Sequence, residues 1–281
     1  MTSRRVIGLH EAHRDDIADL VTRRPLPGPG LDQVDPFLFL NHHGPQVYPP
    51  RNGGLPFGPH PHRGFETVTF ILEGSLAHRD SGGHESIIRA GGVQWMTAGR
   101  GLVHEEVSPE AFKREGGAME ILQLWVNLPA RLKMTAPAYV GLQRDDIPVV
   151  EEDGGRARVA LISGEWGGQS GPVASLTGVR MTVLHLAPGA RIAPAVPRGD
   201  NVFLYVVRGA VTIAGQTVEA FTLATLDDGG DAVEIEASAD SVLLFGNATP
   251  FDEPVVAHGP FVMNTREEIM QAMQDYRAGR F

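Results

Sequence analysis

The sequence contains no cysteine in its 281 residues. Disulfide bonds, thiolate nucleophiles and cysteine-ligated zinc are therefore excluded. Long apolar runs are also absent, since no stretch approaches the roughly 20 residues that a membrane-spanning helix requires. The N-terminal residues lack the uninterrupted apolar segment of a secretory signal peptide. We therefore expect a cytoplasmic protein that is not bound to a membrane.

Positive charge is scarce in this chain. There are 24 Lys and Arg residues against 34 Asp and Glu residues, which gives a formal net charge of −10. No run of Lys and Arg offers a local exception, so the chain should repel the phosphate backbone of nucleic acids. Direct DNA or RNA binding is not expected, although binding through a protein partner stays open.

Glycine and proline are plentiful, with 34 and 21 residues. They separate short segments rich in β-branched and aromatic residues, a pattern typical of many strands joined by turns. Turn signals about every ten residues favour a β-barrel or a β-sandwich. In the first half of the chain, the predicted strands are 67–72, 75–79, 85–89, 93–98, 102–107 and 121–128.

A second series of strands follows a joint at residues 129–158, which carries three prolines and little periodicity. Residues 67–76 align with residues 202–211, so that Gly74 matches Gly209 at an offset of 135. Two copies of one barrel would explain this alignment. We therefore predict two domains, residues 1–134 and residues 135–281, with strands in the second at 179–189, 201–209, 210–215, 217–226, 232–237 and 241–246.

One helix is predicted at the C-terminal end. Thr265 and Glu268 form the pattern of a capping box, in which each side chain bonds the other residue's backbone N–H. An apolar stripe follows at helical spacing, and the helix should end near Gly279. We interpret it as a packing helix without chemistry, with the stripe formed by Ile269, Ala272, Met273 and Tyr276.

Two tripeptides carry candidate metal ligands. In a strand, side chains at i and i+2 point to the same face. His60 and His62 would therefore point one way, as would His104 and Glu106, while Glu105 would face away. On neighbouring strands these four would converge on one ion, and the donor set suits Fe(II), Mn(II), Ni(II), Cu(II) or Zn(II). Four ligands on an octahedral ion leave two positions open, as catalysis requires.

Most of the other histidines are weaker candidates for metal ligands. A single histidine in a strand usually has a structural role or is merely exposed. We give that interpretation to His13, His42, His43, His78, His84, His185 and His258.

Several segments closely resemble the pirin family of bicupins, over nearly the whole chain. The resemblance implies an all-β fold of two cupin barrels in tandem, each a double-stranded β-helix or jelly roll, with a short C-terminal helix. It also implies that His60, His62, His104 and Glu106 are the metal ligands. The segments are DPFLFLNHHGP (35–45), PHPHRGFETVTFILEGSLAHRDS (59–81), QWMTAGRGLVHEE (94–106), LWVNLPARLKM (124–134) and the closing GPFVMNTREEIMQAMQDYRAGRF (259–281).

The wider cupin pattern G-x5-H-x-H-x3-E also fits, from Gly54 to Glu66. In most cupins that glutamate is a ligand, but the closer resemblance assigns the role to Glu106. Glu66 would share a face with His62 on an unbroken strand, which makes it a candidate to support the ligands. At the offset of 135, His60 and His62 map to Ala195 and Pro197, so a metal is expected only in the first barrel.

The resemblance implies two functions from different classes. Some bacterial pirins are similar to quercetin 2,3-dioxygenases, which open the flavonol ring with O2 and release CO. We predict such an enzyme, with Fe(II) as the first candidate metal, a small aromatic substrate, Glu106 as catalytic proton acceptor and a monomeric chain. The alternative is an iron-dependent, redox-sensing transcriptional co-regulator that acts through protein partners. A sugar-handling cupin, such as an isomerase, has weaker support.

Overall fold

The computed structural model describes residues 2–281. The first half of the chain forms strands apart from helix α1 (Glu110–Glu115) and two single 3-10 turns, Ala130–Leu132 and Arg144–Asp146. Its strands are β1 (Val6–Glu11), β2 (His13–Arg14), β3 (Thr22–Leu26), β4 (Phe37–Tyr48), β5 (Phe57–His62), β6 (Phe65–Glu73), β7 (Ser75–Asp80), β8 (Glu85–Arg89), β9 (Val93–Thr97), β10 (Leu102–Val107), β11 (Gly117–Asn127) and β12 (Ala138–Leu142).

The second half is built in the same way, with a 3-10 turn at Asp153–Gly155 and helix α2 (Arg266–Arg277) near the end. Its strands are β13 (Val149–Glu152), β14 (Ala157–Ser163), β15 (Glu165–Trp166), β16 (Gln169–Ser170), β17 (Arg180–Leu186), β18 (Arg191–Ile192), β19 (Asn201–Arg208), β20 (Ala210–Ile213), β21 (Gln216–Glu219), β22 (Thr222–Leu226), β23 (Ile235–Ala237), β24 (Ser241–Ala248), β25 (Val256–His258) and β26 (Phe261–Met263). The all-β prediction is confirmed.

The chain divides into two compact units, and neither is one continuous stretch. We call the unit of Arg14–Arg23, Phe37–Asp145 and Phe251–Phe281 the first barrel. The second barrel contains the chain up to His13, Arg24–Pro36 and Asp146–Pro250. The predicted ranges 1–134 and 135–281 differ from this division, because each end of the chain belongs to the unit built mainly from the other half.

The first barrel has a large and a small sheet. The large sheet has the order β12-β9-β6-β11-β4-β3-β2 and the small sheet the order β5-β10-β7-β8. Its strand β6 is buried at every position from Phe65 to Ile71, as expected of a strand covered on both faces. Part of the core is a cluster that includes Leu20, Ile71, Leu76, Ile88, Met119 and Ile121.

The second barrel repeats this topology. Its large sheet has the order β1-β22-β19-β24-β17-β14-β13 and its small sheet the order β18-β23-β20-β21. Strands β6 and β19, which carry the aligned segments, take the same place in the two orders. The glycine that ends each segment has a left-handed backbone, with φ of +84° at Gly74 and +83° at Gly209, a conformation that glycine adopts without a steric cost. The predicted tandem repeat is confirmed.

Helix α2 begins at the predicted capping box, in which Thr265 and Glu268 each accept from the other's backbone N–H. Ile269 and Ala272 are buried as expected, but Tyr276 is 41% exposed, and Asp275 is buried in its place. The apolar stripe was therefore wrong at its last position. No helix within residues 2–281 is long and apolar enough to cross a membrane.

Candidate metal centre

Strands β5 and β10 carry the two histidine tripeptides, and they pair antiparallel in the small sheet of the first barrel. His104 stands directly opposite His60, and Leu102 stands opposite His62. Burial alternates along β10, with His104 and Glu106 buried and Glu105 partly exposed. The i, i+2 spacing therefore places the paired side chains on one face, as predicted.

The three imidazoles form a cluster. One potential ligand atom from each of His60, His62 and His104 lies within 4.8 Å of those of the other two. The ring centroids are 4.4 Å apart for His60 and His104 and 4.9 Å for His62 and His104. Rings at such distances can turn one nitrogen each toward a common point, the arrangement of a metal site with imidazole ligands.

Backbone carbonyls fix the tautomers of two of these rings. His60 Nδ1 lies 2.7 Å from the Gly58 carbonyl oxygen, and His62 Nδ1 lies 3.2 Å from that of Pro260. A carbonyl oxygen only accepts, so each Nδ1 must donate. The lone pair of the neutral ring is then on Nε2. Histidine ligands in metal sites commonly have such a carbonyl partner for the other nitrogen.

His104 is buried, and neither of its ring nitrogens has a hydrogen-bond partner among residues 2–281. A buried imidazole without partners is costly, and a metal ion would satisfy it. Burial, reinforced by the neighbouring histidines, lowers the pKa of His104 well below its ordinary value and that of His62 to about 3. Both rings are therefore neutral at physiological pH, as metal ligation requires. The residues present fit a divalent transition metal.

The Glu106 carboxylate is fully buried on the same face of β10 as His104. Glu106 is not one of the residues whose ligand atoms lie within 4.8 Å of one another, since that cluster contains only the three histidines. Its Oε1 accepts from Thr69, at 2.9 Å, and from Gln94, and its Oε2 accepts from Gln123 at 2.6 Å. Burial raises the pKa of Glu106 to about 7, although these three donors oppose the rise.

The predictions for Glu105 and Glu66 had different outcomes. Glu105 points away from the cluster, as predicted, and lies 3.6 Å from Arg79 on the outer face. Glu66 is buried and accepts from the Thr97 hydroxyl at 2.6 Å. The unbroken strand assumed for Glu66 was wrong, because β5 ends at His62 and Glu66 lies on β6 in the other sheet.

Residues near the cluster were missed by sequence reasoning. His78 is buried, with its ring 5.5 Å from that of His104, and it stacks on Tyr139 at 4.2 Å. The Asp80 carboxylate lies 3.0 Å from His78 Nε2 and 3.1 Å from His84 Nδ1. The spacing of His78 and Asp80 is the same i, i+2 pattern that singled out His60 and His62, so the signal was present in the sequence.

Aromatic side chains stand beside His62. The Trp125 ring centroid lies 5.4 Å from that of His62, 4.4 Å from Phe65 and 4.7 Å from Phe39, on which it stacks. Trp125 Nε1 is buried and finds no acceptor in the part of the chain that the structure describes. We call Phe39, Phe65 and Trp125 the aromatic wall.

Two family descriptions match this chain. One, named Pirin, matches residues 19–126, and the other, named Pirin C-terminal cupin domain, matches residues 181–281. Together they cover more than half of the sequence. The chain belongs to the pirin family. The matched regions include the histidine cluster and Glu106 in the first barrel, and the second match also contains helix α2.

Individual pirin relatives agree with this assignment. A pirin-like protein of Caulobacter vibrioides is 44% identical over 269 residues, which covers 95% of this chain and 94% of that protein. The crystal structure of quercetin 2,3-dioxygenase from Acinetobacter baumannii has a TM-score of 0.94 and 34% identity, over 99% of this chain and 98% of that one. The bacterial pirin YhhW from Escherichia coli, in complex with nickel(II), has a TM-score of 0.69 over 86% of this chain and 99% of its own. Its 22% identity supports a shared fold alone.

Proposed function

We propose that this protein is a mononuclear metal-dependent dioxygenase that opens flavonol-type substrates, such as quercetin, with O2. The observation that carries the proposal is the cluster of three imidazoles whose ligand atoms lie within 4.8 Å of one another. A buried carboxylate of raised pKa lies on the same strand face. The similarity to the Acinetobacter baumannii quercetin 2,3-dioxygenase supports the choice of substrate class.

His60, His62 and His104 would hold the ion, with Glu106 as the fourth ligand. Fe(II) is the first candidate, and Mn(II), Ni(II), Cu(II) and Zn(II) suit the same donors. The bound ion would supply Lewis acidity and a template for substrate and O2. The chain itself supplies orientation, since carbonyls of Gly58 and Pro260 fix two of the imidazoles.

Glu106 is the proposed proton acceptor. In the metal-free chain its pKa is about 7. A bound ion would lower that pKa, so the carboxylate would be ionised and able to accept a proton at neutral pH. A flavonol presents an acidic enol hydroxyl as a donor. The Gln94 and Gln123 amides hold the carboxylate in place through their hydrogen bonds.

Phe39 and Trp125 of the aromatic wall are partly exposed and would contact the flat rings of such a substrate, while Phe65 is buried and packs on Trp125. Offset or edge-on aromatic contacts are favourable in addition to the burial of apolar area. Trp125 Nε1 is a buried donor that has no acceptor within residues 2–281, so a carbonyl or hydroxyl oxygen of the substrate could satisfy it. Apolar walls with a few placed polar groups are the usual composition of small-molecule sites.

Turnover of quercetin is the direct test. Chain loaded separately with Fe(II), Ni(II), Mn(II) or Cu(II) is incubated with quercetin and O2, and loss of the flavonol absorbance and release of CO are recorded. We expect both signals with at least one metal and neither with metal-free protein. His104→Ala should abolish them, while Glu105→Ala, on the outer face of the same strand, should retain them.

Absence of CO with every metal would refute the dioxygenase proposal. If the chain still bound one metal ion per molecule, the site would be intact and the redox-sensing co-regulator would become the better explanation. A pull-down that recovers a transcription factor in one iron oxidation state only would then support that alternative.

A further inference from the structure

The chain turns sharply just after His62. Strand β5 ends at that residue and β6 begins at Phe65, so only Arg63 and Gly64 lie between these two strands, which belong to different sheets. Gly64 has φ of +89°, and a Cβ added there would lie 1.9 Å from the Val262 carbonyl oxygen. Only glycine permits so close an approach of two backbones. The turn that follows a proposed ligand is therefore pressed against a segment about 200 residues further along the chain.

That segment is 260–263, and it contacts the turn through its backbone. Arg63 and Phe261 form a parallel bridge, and the Val262 N–H donates to the Arg63 carbonyl at 3.0 Å. The Pro260 carbonyl accepts from His62 Nδ1 at 3.2 Å. The C-terminal segment thus supplies the group that determines which nitrogen of His62 carries the proton.

Lys133 ties the two backbones together. Its buried ammonium group donates to the Gly64 carbonyl at 2.9 Å, to the Val262 carbonyl at 3.0 Å and to Asn127 Oδ1 at 2.7 Å. Three acceptors from three parts of the first barrel are satisfied by one cation. The buried Lys133 side chain therefore fixes the spacing between the turn and segment 260–263.

Helix α2 holds the turn from the other side. Arg63 is buried, and its guanidinium donates to Asp275 Oδ2 at 2.8 Å and to the Arg100 carbonyl at 2.5 Å. The same group lies 4.4 Å over the ring of the terminal Phe281. Asp275 in turn accepts from Gln271 and Arg280, at 2.8 Å and 2.7 Å. The helix is anchored by apolar contacts among Phe261, Met263, Ile269 and Ala272.

We infer that Asp275 is a positioning residue for His62, acting through Arg63 and the Pro260 carbonyl. The C-terminal segment would then help to orient a ligand of the proposed metal site. This inference rests on the proposed metal site. Loss of the Asp275 charge leaves the Arg63 guanidinium buried without its carboxylate partner, which raises the free energy of this arrangement. The turn at Arg63 and Gly64 would shift so that the guanidinium could find other partners. Movement of the turn weakens the bond between His62 and Pro260, which frees the ring to adopt the other tautomer. That tautomer protonates Nε2 and removes the lone pair from the cluster.

The test compares Asp275→Asn with Glu267→Gln, which neutralises an exposed carboxylate in the first turn of the same helix. Nitrogen-15 NMR of the metal-free full-length chain measures the fraction of His62 that carries its proton on Nδ1. Competition titration with Ni(II) measures affinity, and thermal unfolding measures stability. For Asp275→Asn we expect a clear fall in the Nδ1–H fraction and a roughly 10- to 100-fold weaker Ni(II) affinity, as for other residues that orient metal ligands. Glu267→Gln should change neither.

Arg280→Gln provides a milder variant, since it removes only an exposed partner of Asp275. It should shift the tautomer and the affinity in the same direction by a smaller amount, even if Asp275→Asn folds poorly. A lower melting temperature with an unchanged tautomer and unchanged Ni(II) affinity would overturn the inference, because Asp275 would then act on stability alone. If the wild-type chain bound no metal, the proposed function would fail, and the His62 tautomer in the variants would decide the inference by itself.

Discussion

His60 and His104 face each other across a strand pair, at matched positions of β5 and β10, with ring centroids 4.4 Å apart. One hydrogen-bonded register therefore brings together two residues that are 44 positions apart in the sequence. Because side chains alternate along strands, the same register places His62 and Glu106 on that face.

Single substitutions on β10 should show that Glu106 contributes to metal binding and that its neighbour Glu105 does not. Glu106→Ala should weaken metal binding by at least about tenfold, the lower end of the loss seen when residues around a metal are altered, because it removes the only carboxylate among the four proposed ligands. Glu105→Ala should leave affinity unchanged, since that side chain lies near Arg79 on the outer face. His62→Ala should lower affinity further than Glu106→Ala. Isothermal titration with Ni(II) measures all three.

The fold should survive these substitutions, because stability comes from apolar burial along many strands. Melting temperatures within a few degrees of the wild type would establish this. If Glu105→Ala emptied the site and Glu106→Ala did not, the assignment of Glu106 as a ligand would be wrong.

The stability of the metal-free protein should depend on pH through Glu106. Its folded-state pKa is about 7 against an ordinary value of 4.5, so the folded chain binds a proton more tightly than the unfolded chain. The stabilisation is complete below pH 4.5 and is lost as pH rises to about 7, by roughly 3 kcal/mol in total at about 1.4 kcal/mol per pKa unit. Urea unfolding between pH 4.5 and 8 measures the slope.

Glu106→Gln should remove this contribution, because the amide does not titrate. The stability of the wild type relative to Glu106→Gln should therefore fall as pH rises from 4.5 to about 7. His62 and His104 have lowered pKa values that make stability rise with pH, but both proteins contain them and the comparison cancels their effect. Glu105→Gln is the matched control, and its profile should follow the wild type. A difference in unfolding free energy between wild type and Glu106→Gln that stays constant from pH 4.5 to 8 would contradict the raised pKa of Glu106.

Gly64→Ala should destabilise the first barrel strongly. The new Cβ would lie 1.9 Å from the Val262 carbonyl oxygen at a φ of +89°. We expect a loss of about 3 kcal/mol or more in the free energy of unfolding, since a left-handed backbone and a displaced strand both contribute.

Gly83→Ala is the control for backbone conformation alone. It has the same φ of +89°, but nothing lies within 4 Å of an added Cβ. Its expected cost is about 1 kcal/mol. Equal losses for the two variants, measured by urea unfolding, would show that the approach of Val262 to Gly64 has no effect on stability.

Binding of an open-shell ion should quench the fluorescence of Trp125. Its ring lies 5.4 Å from that of His62, and quenching by Ni(II) or Cu(II) is strongest at short range. The wild-type emission should fall as metal is added, and Trp125→Phe should remove most of that decrease. Trp166→Phe, in the barrel that contributes no ligand to the cluster, should retain it. An unchanged decrease in Trp125→Phe would place the ion elsewhere.

Much of this site could be predicted from local sequence. The strand segments and the capping box at Thr265 are patterns within a short window, and the tandem repeat is a match between two such segments. All three are confirmed. The face shared by His104 and Glu106 follows from strand geometry alone. Pairing of the two tripeptides across strands was an assumption at that point, and the register of β5 with β10 bears it out.

Other features depend on long-range contacts that leave little trace in the sequence. One such feature is that each end of the chain belongs to the barrel built mainly from the other half. Another is that His78 lies beside His104. Asp275 reads as a polar position of an amphipathic helix, yet the fold buries it against Arg63. The sequence by itself determined which residues could ligate a metal, because periodicity decides which side chains share a face. Only the tertiary structure decided how the proposed ligands are held, because the groups that orient His62 come from a segment about 200 residues away.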